Sequence, residues 1–149
     1  MFDILAYLVE RYLAVGIFPD GELLSRQLCA AGFEPDQVDQ ALAWLSDLEH
    51  LGREPGPVQH GRSTRLFAAE EASRLDTQTR GYLMFLESAG VLGPTQRELA
   101  IERILAIDGE VTLEQAKLVV LVVLWSRGEP LESLIVDELL TGAREQLAH

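Results

Sequence analysis

Apolar residues recur at helical spacing through most of this chain, and glycines and prolines mark where each run stops. Phe2, Ile4, Leu5, Leu8, Val9, Tyr12 and Leu13 fall on one stripe of a helix over 2–15, without the alternation of a strand. Gly16 closes it. A second helix over 21–30, with Asp20 as its cap, turns Leu23, Leu24 and Leu28 inward. Gly32 then supplies positive φ to the tight turn Ala31-Gly32-Phe33. A third helix over 35–51 starts at Pro35, whose missing N–H costs nothing in a first turn. Val38, Ala41, Leu42, Leu45 and Leu48 form its apolar face, and Trp44 lies beside that stripe. Over 52–64 the pattern breaks into Gly52, Pro55, Gly56, Pro57 and Gly61, a loop or a poorly paired hairpin. Thr64-Arg65-Leu66-Phe67 reads as a short strand ahead of a helical 68–75.

The second half is helical throughout. Asp76 caps a helix to Ala89 that buries Tyr82, Leu83, Phe85 and Leu86, and Gly90 ends it. Thr95-Gln96-Arg97-Glu98 has the form of a capping box, opening a helix to Ile107 with Leu99, Ile101, Ile104 and Leu105 inside. Asp108-Gly109 is a turn. Next comes Leu118 to Trp125, LVVLVVLW, without a polar interruption. Four valines suit a strand, but the flanks decide for a helix. Thr112-Leu113-Glu114-Gln115 is a capping box, and Gly128 followed by Pro130 is a helix stop. A helix over 113–127 is apolar on almost every face in its second half, so it belongs in the middle of a bundle. The run is far short of the roughly 20 residues that cross a bilayer. Over 132–146 a last amphipathic helix turns Leu134, Ile135, Leu139 and Leu140 inward.

The expected architecture is mainly α. A winged-helix-like module over 1–75, with a small β wing, packs on a helical module over 76–149 built around 113–127, or the two form one compact unit. In the first module, 35–51 takes the place of the recognition helix and 52–64 that of the wing.

Charge changes what that module can do. The chain has 24 acidic and 12 basic residues, a formal charge of −12. That repels nucleic acid and anionic membrane surfaces, or simply solvates the protein. The distribution is more informative. Between Arg26 and Arg53 there is no Lys or Arg, while Glu34, Asp36, Asp39, Asp47 and Glu49 are all acidic. A helix that enters the major groove needs cations against phosphate, so this one has the wrong sign. A winged helix can instead dock a protein, since fold does not fix function. Asp36, Asp39 and Asp47 are therefore the candidate protein-docking residues. The alternative is weak nucleic-acid contact through Arg53, Arg62 and Arg65, with His60, on the one basic stretch. Those arginines could equally pair with the acidic helices around them.

No motif of catalysis is present: no G-x-S-x-G, P-loop, G-x-G-x-x-G or H-E-x-x-H. His50 and His60 lack a third ligand at metal spacing, and His149 is terminal. Asp108-Gly109-Glu110 with Glu114 lacks the order of a calcium loop. Cys29, the single cysteine, allows no internal disulfide and is expected in or near the core. No catalytic, cofactor-binding or metal residue is assigned and no cofactor is expected. The start MFDILAYLVERYL lacks the features of a signal peptide, so a cytoplasmic protein is expected. The reading that remains is a non-enzymatic adaptor or regulator whose partner is a protein with a basic surface.

Four segments carry a family resemblance: MFDILAYLVERY, AGFEPDQVDQALAWL, SRLDTQTRGYLMFLE and IERILAIDGEVTLEQAKLVVLVVLW. Together they make the chain, from about Met1 to Leu140, similar to the Smg protein family of proteobacteria. The resemblance implies a small, acidic, cytoplasmic protein with no established activity, often encoded beside genes for DNA processing and a topoisomerase. It brings no catalytic or ligand residues. The chain departs from longer relatives of the family mainly in a shorter loop around Arg53 to Thr64, the segment that would carry any function of a wing.

Overall fold

The structure is a computed structural model that describes residues 1–13, 21–53, 75–107, 109–128 and 131–148. Seven helices lie among them: α1 (Phe2–Tyr12), α2 (Gly21–Ala30), α3 (Pro35–Arg53), α4 (Thr77–Ser88), α5 (Pro94–Leu105), α6 (Leu113–Ser126) and α7 (Ser133–Ala148). The valine-rich run is helical, in α6. Every residue from Leu118 to Trp125 is buried, together with Ala116. In a helix each valine is disfavoured by at most about 0.7 kcal/mol relative to alanine, whereas burying its side chain contributes roughly 1.5 kcal/mol or more. Packing wins over propensity.

Local chemistry sets the ends of α6. The Thr112 hydroxyl accepts from the Gln115 amide at 3.2 Å, and the Thr112 amide donates to Gln115 Oε1 at 3.1 Å. At the other end Gly128 takes φ +69° and its amide donates to the Trp125 carbonyl at 3.0 Å. Helices α1, α3, α4, α5 and α7 all pack against α6. The first helix lies mainly on α7 and α6, so the N-terminal stripe of Ile4, Leu5, Leu8 and Val9 belongs to the same continuous core as Leu139. That packing crosses the boundary drawn at residues 75 and 76.

The fold is thus mainly helical as expected, but the small β wing is a correction. Among the described residues there is no strand. Gly52 and Arg53, taken as the start of the wing, are the last residues of α3. Extending a helix adds one hydrogen bond per residue, which outweighs the roughly 1 kcal/mol that glycine loses. The rest of the wing, the strand over 64–67 and most of the helix over 68–75 lie outside the described residues.

Three assignments of apolar residues also change. Leu23, Phe85 and Leu134, expected inside, are 53%, 62% and 79% exposed. Leu23 and Phe85 neighbour the buried Leu24 and Leu86, and Leu134 neighbours the half-buried Ile135; a step of one residue turns a side chain by about 100° around a helix. Trp44 turns the other way and is buried, leaving Leu42 half-buried. Cys29 is exposed. The capping box assigned to Thr95 does not form: the N-cap is Gly93, whose amide donates to Gln96 Oε1 while Pro94 opens α5. Proline fixes φ near the helical value and so claims the first helical position.

Trp125 is 7% exposed at the end of the central helix. Replacing it with Ala should lower stability by about 3–5 kcal/mol, as large aromatic truncations in cores do. Chemical denaturation measures this directly. An unchanged midpoint would place Trp125 outside the core.

Candidate functional site

The acidic side of α3 is built by the turn before it and by the core behind it. Gly32 adopts φ +102°, a conformation that admits side chains only under strain, and reverses the chain between α2 and α3. Phe33 follows and packs edge-on against Tyr7 of α1, with ring centroids 5.6 Å apart at 76°. Pro35 then opens the helix, and the Val38 amide donates to the Glu34 carbonyl at 3.0 Å. Val38, Ala41, Trp44, Leu45 and Leu48 face the core. Asp36, Asp39 and Asp47 are therefore left exposed on the other side, with Gln40 and His50, while Glu49 is exposed at the border of the apolar face.

A reciprocal clasp fixes the roll of α3. The Trp44 indole N–H donates to the Arg103 carbonyl at 3.0 Å, and Arg103 Nη1 donates to the Trp44 carbonyl at 3.1 Å. The guanidinium carbon sits 5.5 Å from the centre of the Trp44 ring. Glu102 accepts two more guanidinium hydrogens, with Nε and Nη2 at 2.6 and 2.8 Å from its oxygens. Rotating α3 to hide its carboxylates would break this arrangement and expose Leu45 and Leu48.

Along the helix, Asp36 and Asp47 stand about 16 Å apart at 1.5 Å per residue. That exceeds the screening length of about 8 Å at physiological salt, so the two ends of the stripe act separately, while Asp36 and Asp39, one turn apart, act together. Among the described residues none of Asp36, Asp39, Asp47 and Glu49 makes an ion pair. Of the alternative site, Arg53 is the last residue of α3, and Arg62, Arg65 and His60 lie outside the described residues. The structure thus brings the three aspartates onto one exposed helix side. Among the described residues no three His, Cys, Asp or Glu side chains group as metal ligands. No helix there is long and apolar enough to cross a membrane.

Two polar clusters escaped the sequence reading. Arg97 is buried on α5 and pairs with Glu87 of α4 and with Glu98, the latter at 3.2 Å. Arginines usually lie outside, so only the apolar residues on several sides of α5 hinted at it. The second cluster surrounds Lys117, the chain's one lysine. Its ammonium lies 3.0 Å from Glu138, 3.7 Å from Glu114 and 5.2 Å from the centre of the Tyr82 ring. Thr141 Oγ1 lies 2.7 Å from the Glu138 carbonyl and 3.3 Å from Glu114 Oε2. The cluster ties α4, α6 and α7 together. Glu114 and Lys117, three apart on a helix, were its one visible signal.

The fold and site define a helical, acidic protein with one long exposed carboxylate-bearing helix side. The family described as "Protein of unknown function (DUF494)" matches residues 1–149. The "Protein Smg homolog" of Aromatoleum aromaticum is 53% identical over 150 residues, covering 99% of this chain and 97% of that protein. Its namesake in Azoarcus sp. (strain BH72) is 45% identical, covering 95% of this chain and 93% of that protein. That of Leptothrix cholodnii is 41% identical and covers 100% of both chains. The chain belongs to the Smg family. No solved structure matches it.

Burial raises the Tyr82 hydroxyl from 10.0 to about 12, helped by the Glu138 carboxylate and, less, by that of Glu114. The folded state therefore prefers the neutral phenol. This contribution to stability is fully present below pH 10 and is lost as pH rises through about 12. Denaturant midpoints of wild type and Tyr82→Phe should fall differently between about pH 9 and about pH 11, the wild type more steeply. Parallel curves would show that the phenol titrates alike in both states.

Proposed function

We propose that this protein is a non-enzymatic, cytoplasmic adaptor or regulator. It binds another protein through the acidic side of α3, and that partner carries a basic face of the kind found on nucleic-acid-handling proteins. One observation carries the reading: Asp36, Asp39, Asp47 and Glu49 are exposed on a helix whose roll the Trp44–Arg103 clasp holds. Exposed carboxylates at fixed positions raise the local negative potential and steer a cationic surface toward the helix. The pair α2–α3 acts as the docking element, and no chemistry is asked of it. Charge argues against direct nucleic-acid binding, because phosphates would meet carboxylates.

Two measurements test this. A pull-down from native cytoplasm identifies the partner, and the triple variant Asp36→Asn, Asp39→Asn, Asp47→Asn is then compared with wild type. Association should slow several-fold and lose part of its salt dependence, while the melting temperature barely moves, since all three side chains are exposed. An unchanged association rate at low salt would make the acidic side a solvated surface only. Duplex DNA should not bind more tightly than about 10⁻⁶ M at physiological salt, as a gel-shift titration would show. Tight, sequence-selective binding would overturn the reading.

A further inference from the structure

The outer side of α4 differs from every other surface feature described so far. Its exposed residues between 77 and 89 include no charge, in a chain of formal charge −12. Gln78, Gly81, Met84, Phe85 and Ser88 lie three or four residues apart, so they form one stripe. Phe85 is 62% and Met84 37% exposed. Arg80 and Glu87, the two charged residues of α4, are half-buried at its flanks, and Glu87 is taken up by Arg97.

Gly81 sits in the middle of this stripe. A Cβ added there would meet nothing within 4 Å, and its φ needs no glycine. The chain's own packing therefore gives no reason for glycine where alanine would favour the helix. What its absent side chain does provide is open space beside Phe85 and Met84, where another backbone can approach closely. Phe85 is held in place from within: its ring centroid is 6.3 Å from that of Tyr82, and Tyr82 lies under Lys117. The rim on the Tyr82 side is acidic, with Glu114 and Glu138 sharing the single cation Lys117.

We propose that this stripe docks an amphipathic helix of a partner protein, its apolar side on Phe85 and Met84 and its lysines or arginines toward Glu114 and Glu138. An apolar helix stripe seated in a groove is a common mode of recognition, read through anchors at i, i+3, i+4 and i+7. The charges select the occupant. A second copy of this chain would bring −12 against −12, and an acidic helix would meet the same repulsion. A cationic amphipathic helix gains from both the stripe and its rim. This site is separate from the acidic side of α3 and does not depend on it.

The probe is a synthetic Leu/Lys peptide of about 18 residues, or five helical turns, with its leucines on one stripe. A scrambled peptide of the same composition keeps the charge and loses the stripe, and a Leu/Glu peptide keeps the stripe and reverses the charge. Full-length protein is titrated by fluorescence anisotropy and by amide chemical shifts. The striped Leu/Lys peptide should bind at least about tenfold more tightly than either control and shift the signals of Gly81, Met84 and Ser88. Phe85→Gln and Gly81→Gln should each weaken it by about tenfold with melting temperature unchanged. The triple aspartate variant of α3 should leave the α4 shifts in place, which separates failure here from failure there. Equal binding of the scrambled peptide, or equal affinity of both α4 variants, would overturn the proposal. So would a homodimer that Phe85→Gln dissolves, or binding to phosphatidylcholine vesicles that the same change abolishes.

Discussion

A helix that is apolar on every side persists in water only when other helices surround it. That requirement, imposed by α6, organises this protein. Five helices pack against it, among them the first and the last of those described. The N-terminal helix is drawn onto α7 and α6 and away from α2, so residues distant in sequence share one core. Eight consecutive buried residues leave the second half of α6 no free face for a ligand or partner. Function is pushed outward, onto the helices that cover it.

Those outer helices need to be held in register, and polar contacts at their inner edges do it. Arg103 locks α3 through backbone carbonyls and an aromatic ring, a use suited to a planar, permanently charged group. Arg97 joins α5 to α4 through Glu87. Lys117 joins α6 to α4 and α7. A buried ion pair is a weak source of net stability, but removing one partner leaves a charge without compensation. Such contacts therefore act as orientation locks. They determine which side of α3 and α4 faces outward, and with it the two surfaces that carry functional readings.

The two surfaces differ in kind. On α3 the exposed residues are carboxylates, which steer and select by charge; on α4 they are uncharged and include an aromatic ring, which offers contact area. Charge acts over a screening length and governs encounter, while buried apolar contact governs residence. An adaptor can use both on one partner, or one on each of two. The family match covers the whole chain, so both surfaces lie within the matched region.

Periodicity and capping determined much of this protein before any coordinates. The helix over 113–127, its capping box at Thr112 and its stop at Gly128 were legible because they rest on bonds between residues three or four apart. The acidic side of α3 was legible for a related reason: once Val38, Ala41, Leu45 and Leu48 face the core, helical geometry leaves Asp36, Asp39 and Asp47 outside. Tertiary structure alone decided the rest. Helical spacing cannot say whether Phe85 or Tyr82 turns inward, since that depends on whether a neighbouring helix is there to receive it. It cannot place Trp44 against Arg103, 59 residues away. Nor can it bury Arg97, whose charge enters the core where Glu87 of the preceding helix meets it. Local bonds write the helices into the sequence; the sides those helices show to solvent depend on contacts that close only when the chain is packed.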